Sequence, residues 1–199
     1  MNDRPSLLPS PEFEKLTPLL SDRVMRTADS LGAANFGEFL DPTMRNLLPR
    51  AFQNSGAHEG AVWLVDAGRK NLVICHAWGT RADQVLGFVQ PLTSGIVSMV
   101  LATEQAFCEN KVYTNRAQSK ALDQKLGMLT CSMIAAPLMF AKGLRGVVSC
   151  IKAKQAAEEP DPPDFAPHAL GEMQFVAHVL GKLIEFELVS VITGWDNGL

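Results

Sequence analysis

The chain has 199 residues, of which 47% are hydrophobic and 20% are charged, an ordinary balance for a globular protein. Its formal net charge of -3 gives no electrostatic support for binding nucleic acid or an anionic membrane. The length suits one domain with helical extensions, because single domains commonly contain about 100–150 residues.

No segment has the pattern of a membrane span or a secretory signal. The longest uncharged run covers residues 84–103, but Gln90, Pro91 and Gly95 interrupt it with loop and helix-start signals. The first residues carry charges and prolines instead of an apolar run. We therefore expect a cytoplasmic protein that does not bind nucleic acid or membrane.

The cysteines and histidines give no sign of a metal site or of a catalytic centre. The four cysteines are widely spaced and lie mostly in apolar strand-like segments, so we predict reduced thiols in the core. The histidines show no ligand spacing, and no Ser-His-Asp order, paired carboxylates or phosphate loop is present. The prediction is a protein that is not an enzyme, and the sequence identifies no cofactor.

Three helices are predicted outside the central region, and the first ten residues are predicted to be mobile. Apolar spacing predicts a helix that starts at Thr17 and Pro18 and ends near Ser30. Asp41 before Pro42 predicts a second helix start. The last helix, about 167–191, has an apolar stripe too wide for one sheet face, which suggests a homodimer formed through the terminal helices.

Two hairpins are predicted, at 61–78 and at 131–152. The first predicted hairpin leads through a loop to a helix that begins at residues 93–95. After it we expect a short strand at 106–108, a polar segment at 109–120 and a small helix at 121–126 that Gly127 ends. A proline-rich, acidic stretch at 152–165 is expected to be an exposed loop.

Five short motifs follow this order of elements. They are Gly60-Ala-Val-Trp-Leu-Val-Asp66, Ala77-Trp-Gly79, Pro91-Leu-Thr-Ser-Gly-Ile96, Ser132-Met-Ile-Ala-Ala-Pro-Leu138 and Gly143-Leu-Arg-Gly-Val-Val148. Together, in this order and spacing, they resemble a GAF domain over about residues 38–190. The resemblance implies an α+β fold in which helices pack behind a central antiparallel sheet and a ligand pocket lies under loops on the other face.

The resemblance also implies a domain division and a function. Residues 1–37 would form an N-terminal extension and helix, residues 38–190 the GAF-like domain and residues 191–199 a tail. The chain would be a sensor of an unidentified small molecule that acts in trans on a signalling partner. The alternatives are a dimerisation module with a vestigial pocket and a thiol-based redox enzyme that uses Cys108 or Cys131.

Known branches of the family can be compared residue by residue. Ala153 follows Lys152 where cyclic-nucleotide-binding members carry an Asn-Lys pair after the Ile of that strand, and Ser132 follows Cys131 where bilin-attaching members need histidine. Val97 stands where free methionine sulfoxide reductases need a cysteine near the start of the pocket helix, and valine supplies no thiolate. None of the three branches therefore fits.

Several residues lie in segments that flank the family pocket. The candidate ligand-binding residues are Trp78, Phe88, Ser94, Ile96, Tyr113 and Ser132. Ordinary core or loop packing is the alternative explanation for the aromatic ones. Arg81, Lys111 and Arg116 are candidates to hold an anion together with the helix start at Ser94, although such residues are more often only solvated.

Overall fold

The computed structural model describes residues 11–195, with side chains from residue 14 onward. The segment 1–10, predicted to be mobile, and the end of the predicted tail lie outside these residues. Six strands form one sheet in the order β3-β2-β1-β6-β5-β4, and every neighbouring pair is antiparallel. The strands are β1 (Glu59–Val65), β2 (Asn71–Gly79), β3 (Val89–Pro91), β4 (Phe107–Glu109), β5 (Leu129–Phe140) and β6 (Gly143–Lys154). Both predicted hairpins are confirmed.

Seven helices accompany the sheet within the described part of the chain. They are α1 (Pro11–Asp29), α2 (Phe36–Phe39), α3 (Pro42–Asn54), α4 (Ala82–Val85), α5 (Ile96–Thr103), α6 (Ala121–Leu126) and α7 (Ala169–Thr193). The predicted start of the first helix was wrong. The helix begins at Pro11, so Pro18 lies inside it and costs it a backbone hydrogen bond. The cap at Asp41 is confirmed, because its carboxylate accepts a 2.7 Å hydrogen bond from the Met44 amide.

Apolar side chains cover both faces of the sheet. On one face, helices α1, α2, α3 and α7 enclose the larger core, which includes Phe52, Leu138 and Ile184. On the other face, α5 and the segment before β5 cover a smaller core that contains Trp63 and Ile74. We call these the helix face and the cavity face. This arrangement confirms the predicted α+β class, with helices behind an antiparallel sheet.

The β5–β6 hairpin connects through two residues, Ala141 and Lys142. Both have positive φ angles, 49° and 60°, which suit the tight turns that match strand twist but rarely accommodate residues other than glycine, Asn and Asp. Pro137 pairs with Val147 of β6, and on its other side β4 reaches only as far as Ala135. The proline therefore lies where the edge strand has ended, as its missing N–H requires.

A β-bulge in the β1–β2 pair changes which side chains face the cavity. Val62 pairs with His76 and Trp63 pairs with Ile74, so Cys75 is the additional residue. Simple alternation would place Trp78 on the same face as Ile74. After the bulge the order reverses, and Trp78 packs on the helix face, where its ring stacks on Phe52 with centroids 5.7 Å apart.

Candidate functional site

A partly enclosed cavity of about 90 Å³ lies on the cavity face of the sheet. Strands β1, β2, β5 and β6 supply its floor, and residues of α4, α5 and α6 supply its walls and roof. Its apolar lining comes from every one of these elements: Ala61, Trp63, Ile74, Val85, Ile96, Val97, Leu122, Leu126, Met128, Met133 and Ile151. An apolar wall with a few polar groups is the usual composition of a small-molecule site.

Two buried polar side chains on the floor and wall keep an unused hydrogen-bonding atom. The Ser149 hydroxyl, 4% exposed, accepts a 2.9 Å bond from the Trp63 indole N–H, and its own proton has no acceptor among the described residues. Gln90, 5% exposed, donates through Nε2 to the Ser94 carbonyl at 2.9 Å, while its Oε1 accepts no bond from the described residues. Because Ser94 offers only an acceptor, the amide nitrogen must lie on that side.

A buried carboxylate joins the roof of the cavity to its floor. Asp123 of α6 accepts bonds from the Thr130 hydroxyl at 2.6 Å, the Thr130 amide at 3.1 Å and the Gln118 Nε2 at 3.2 Å. The Gln118 Oε1 is buried and has no partner in the structure. Both Asp123 oxygens thus have donors within the protein, whereas the Gln118 oxygen is left without one.

Arg81 lies at the cavity wall with neutral partners only. Its guanidinium donates to the Met128 sulfur at 3.2 Å and to the Gln155 Oε1 at 2.5 Å, and no carboxylate lies within 4.0 Å of it among the described side chains. Glu59, which also lines the cavity, instead accepts from the Thr80 hydroxyl at 2.8 Å and from the backbone amide of Arg81 at 3.3 Å.

The structure places three of the predicted site residues on or beside the cavity. Ile96 lines it directly. Phe88 packs edge-on against Trp63, with ring centroids 6.3 Å apart. Ser94 lies in a neighbouring surface depression at the start of α5, together with Arg116, and touches the cavity region only through its bond from Gln90. Lys111 lines neither the cavity nor this depression.

The other three predicted site residues lie elsewhere. Trp78 is on the helix face because of the bulge. Ser132 is fully buried and pairs with Lys152, whose ammonium lies 4.6 Å from the ring centre of Phe165 in the helix-face core. The Tyr113 hydroxyl donates to Asp161 at 2.8 Å, away from the cavity. The six candidates therefore do not come together in one site.

Of the polar residues that line the cavity, Arg81 was named from the sequence as a candidate anion ligand, but four others were missed. Gln90, Gln118, Asp123 and Ser149 come from four different elements, and none belongs to a recognisable motif. Only Ser149 offered a signal, since it is a polar residue inside an apolar strand. A polar residue in such a position needs a partner, here the Trp63 indole N–H.

The connection between β6 and α7, residues 155–168, is attached to the segment that leads to the cavity roof. Asp161 accepts bonds from Tyr113 and, at 2.8 Å, from Lys154. The Phe165 amide donates to Asn110 Oδ1 at 2.9 Å. Tyr113 and Asn110 lie a few residues before Gln118, so this connection, which we call the β6–α7 connector, links the surroundings of the cavity to α7.

The cysteines are unsuited to thiolate chemistry. Burial raises the pKa of the Cys150 thiol to about 12 and that of Cys75 to about 11. Burial, together with nearby Asp161, also raises the pKa of Cys131, and burial with nearby acidic groups raises that of Cys108. A thiol whose pKa is raised stays protonated at neutral pH and is a poor nucleophile.

The described residues offer neither a metal cluster nor a membrane-spanning helix. Within residues 11–195 no group of three or more His, Cys, Asp or Glu side chains is arranged to hold a metal ion. Over the same residues no helix is both long enough and apolar enough to cross a membrane.

Comparison of the sequence with known protein families finds no match, and comparison with curated proteins finds none either. Solved structures do match. The GAF domain of a phosphoenolpyruvate-protein phosphotransferase from Coxiella burnetii has a TM-score of 0.61 at 13% identity over 93% of this chain and 99% of its own. The second GAF domain of DevS from Mycobacterium smegmatis has a TM-score of 0.58 at 16% identity over 77% and 99%.

Enzymes also share this architecture. Free methionine-R-sulfoxide reductase from Neisseria meningitidis, solved in complex with its substrate, has a TM-score of 0.52 at 15% identity over 92% of this chain and 91% of its own. The order of elements, the antiparallel sheet and these likenesses define the class: the chain has the GAF fold, as the sequence motifs suggested. That fold is common to these GAF domains and to this reductase.

Proposed function

We propose that this protein is a GAF-type sensory module that binds a small molecule in the cavity and passes the signal to a partner protein. The observation that carries the proposal is an apolar cavity whose lining contains a buried, unpaired polar atom, Gln118 Oε1, together with Gln90 Oε1, which accepts no bond from the described residues. Leaving a buried polar atom unpaired costs about 1–3 kcal/mol. A bound ligand that supplies the missing partners offsets this cost.

The proposed role is not catalytic. The one cysteine among the cavity-lining residues is Cys150, and its raised pKa keeps it protonated at neutral pH. Val97 occupies the helix position at which the reductase branch needs its cysteine. These observations favour a sensor over the redox enzyme that was considered as an alternative from the sequence.

A thermal-shift screen of small metabolites tests this proposal. A ligand that binds the folded state alone raises the melting temperature with increasing concentration, because binding stabilises that state by mass action. The variant Ala61→Phe fills the cavity floor and should abolish the shift, whereas the same change at exposed Ala157 should leave it intact. A shift that survives Ala61→Phe in a folded protein would place the binding elsewhere and contradict the proposal.

A second candidate function, dimerisation, is favoured by a stripe on α7 that is apolar at four of its six positions, Lys182 and Thr193 being polar. Phe175, Val179, Lys182, Phe186, Val189 and Thr193 follow one another at alternating intervals of four and three residues. This is the heptad spacing of helices that pack along a common seam. Phe175 is 68% exposed, and Phe186 is 52% exposed although its ring lies 6.5 Å from that of Trp195, so much of the apolar area of the stripe is left uncovered by the described residues.

The occupant we propose for this stripe is α7 of a second copy. A seam with heptad spacing is complementary to itself, and a twofold axis brings the same residues of two chains together. Sedimentation at micromolar protein concentration should therefore give the mass of a dimer. A monomer throughout that range would remove this second function and leave the cavity proposal standing.

A further inference from the structure

We infer that the ligand is a small anion with an apolar body and a hydroxyl or N–H group. The inference rests on the proposed function, since it specifies the chemistry of the ligand for the same cavity. It draws on the charge at Arg81, on the unpaired atoms of Gln90, Gln118 and Ser149, and on the cavity volume.

Arg81 supplies the reason for the negative charge. A guanidinium offers five N–H donors and remains charged at any physiological pH, and its strongest partners are carboxylates and phosphates. Here it bonds a thioether sulfur and a side-chain amide oxygen, which leaves both its charge and further N–H groups available. An acidic group at the cavity wall would provide the missing counter-charge.

The two carboxylates of the cavity do not compete for that role. Asp123 accepts three hydrogen bonds from Thr130 and Gln118. Glu59 is occupied by the Thr80 hydroxyl and by the Arg81 backbone amide. Each oxygen of both carboxylates therefore already accepts at least one bond from the protein, whereas several N–H groups of Arg81 have no acceptor among the described residues.

The remaining unpaired atoms require a hydrogen-bond donor on the ligand. The amide oxygens of Gln90 and Gln118 can only accept, and Ser149 can both donate and accept. Two acceptors without donors call for an O–H or N–H group on the ligand. Gln90 is 5% exposed, and it forms part of a wall that otherwise carries Ile96 and Val97. The donor therefore lies among apolar side chains, where the loss of one hydrogen bond is costly.

The volume of the cavity limits the size of the ligand. About 90 Å³ is well below the roughly 300–1,000 Å³ of sites that hold drug-sized molecules. Nucleotides and tetrapyrroles are too large for a cavity of this size, whereas a short hydroxylated carboxylic acid is of the right order. This agrees with the absence of the cyclic-nucleotide and bilin signatures.

Matched chemical probes test the inference. We would titrate the whole chain, by calorimetry, with a chain-length series of short ω-hydroxycarboxylates. Each acid is compared with its neutral amide and with its methyl ether, alongside a small-metabolite library sorted by charge. Cavity binders should be acids, and both the amide and the ether should bind at least about tenfold more weakly, because each loses one buried or charge-assisted hydrogen bond.

The variant Arg81→Gln separates charge from general packing. It should weaken the binding of the acids at least about tenfold and leave the binding of the amides nearly unchanged. Arg116→Gln, in the neighbouring depression, should change the affinity for neither group of compounds. Neutral or cationic compounds that bind, lose binding in Ala61→Phe and are unaffected by Arg81→Gln would overturn this inference while supporting the proposed function. If no compound in the sorted library binds in a cavity-dependent way, the proposed function fails and the inference fails with it.

Discussion

At the level of single residues, the buried thiols make a prediction about alkaline pH. Cys150 has its pKa raised by burial from an ordinary value of 9.0 to about 12. In the unfolded chain the thiol ionises near its ordinary value, while in the folded chain it remains protonated. Between these two values the folded state binds more protons, so its stability decreases as the pH rises.

We therefore expect the melting temperature to fall as the pH rises above about 9, with a smaller slope in Cys150→Ala than in the natural chain. The variant Ile134→Val is the control, because it removes a buried methylene from the residue that pairs with Cys150 and keeps every thiol. Melting curves across the alkaline range provide the measurement. Equal slopes for Cys150→Ala and the natural chain would show that this thiol does not titrate as described.

Individual residues are also where sequence reasoning reached its limit. Alternation along β2 correctly assigns Val73 and Cys75 to one face of the sheet and Leu72 and Ile74 to the other. The bulge at Cys75 reverses the assignment of the residues that follow, and it therefore places Trp78 on the helix face. A bulge depends on how two strands pair, and nothing in the sequence of one strand reveals it. The cavity residues Gln90 and Gln118 were missed for a related reason: their role depends on which distant element they meet.

Among the elements, α7 makes an unusually close approach to β5 at Gly181. A Cβ atom added there would lie 2.1 Å from the Met139 carbonyl oxygen, which is backbone and cannot move aside cheaply. Gly171, in the same helix, has nothing within 4 Å of such an atom. The two glycines thus differ in packing while sharing the low helix propensity of their residue type.

We expect Gly181→Ala to destabilise the protein by about 1–3 kcal/mol, since α7 must move away from the sheet. Gly171→Ala should instead stabilise it by up to about 1 kcal/mol through improved helix propensity. Denaturant unfolding of both variants measures the two free energies. If Gly181→Ala were as stable as Gly171→Ala, the close helix–sheet contact would not exist in solution.

Elements were predicted better from the sequence than their boundaries were. Both hairpins, the Asp41 cap and the small helix ended by Gly127 were found because each depends on local signals: alternation, a capping side chain and a glycine with positive φ. The start of α1 was misplaced because Pro18 reads as a first-turn proline, yet the helix begins earlier and contains it. Contacts between α1 and α7 are one influence on that helix that no local pattern contains.

For the whole molecule, the stripe on α7 predicts the state of assembly. A negative charge introduced at Phe186 would be buried in the seam of a dimer. Leu86 follows α4 directly and is 51% exposed, so the same charge placed there would remain in water. We expect Phe186→Glu to sediment as a monomer and Leu86→Glu to keep the dimer. Dimers of equal stability in both variants would exclude α7 as the interface.

The β6–α7 connector offers a physical link between ligand binding in the cavity and pairing through α7. It is bonded at Tyr113 and Asn110 to the chain that covers the cavity, and it leads directly into α7. If occupancy of the cavity shifts this connector, the energetic coupling must be reciprocal: a ligand that tightens pairing is itself bound more tightly by the paired form. The apparent affinity of the protein for its ligand would then depend on the protein concentration. The protein would in this way respond both to the amount of ligand and to its own amount in the cell.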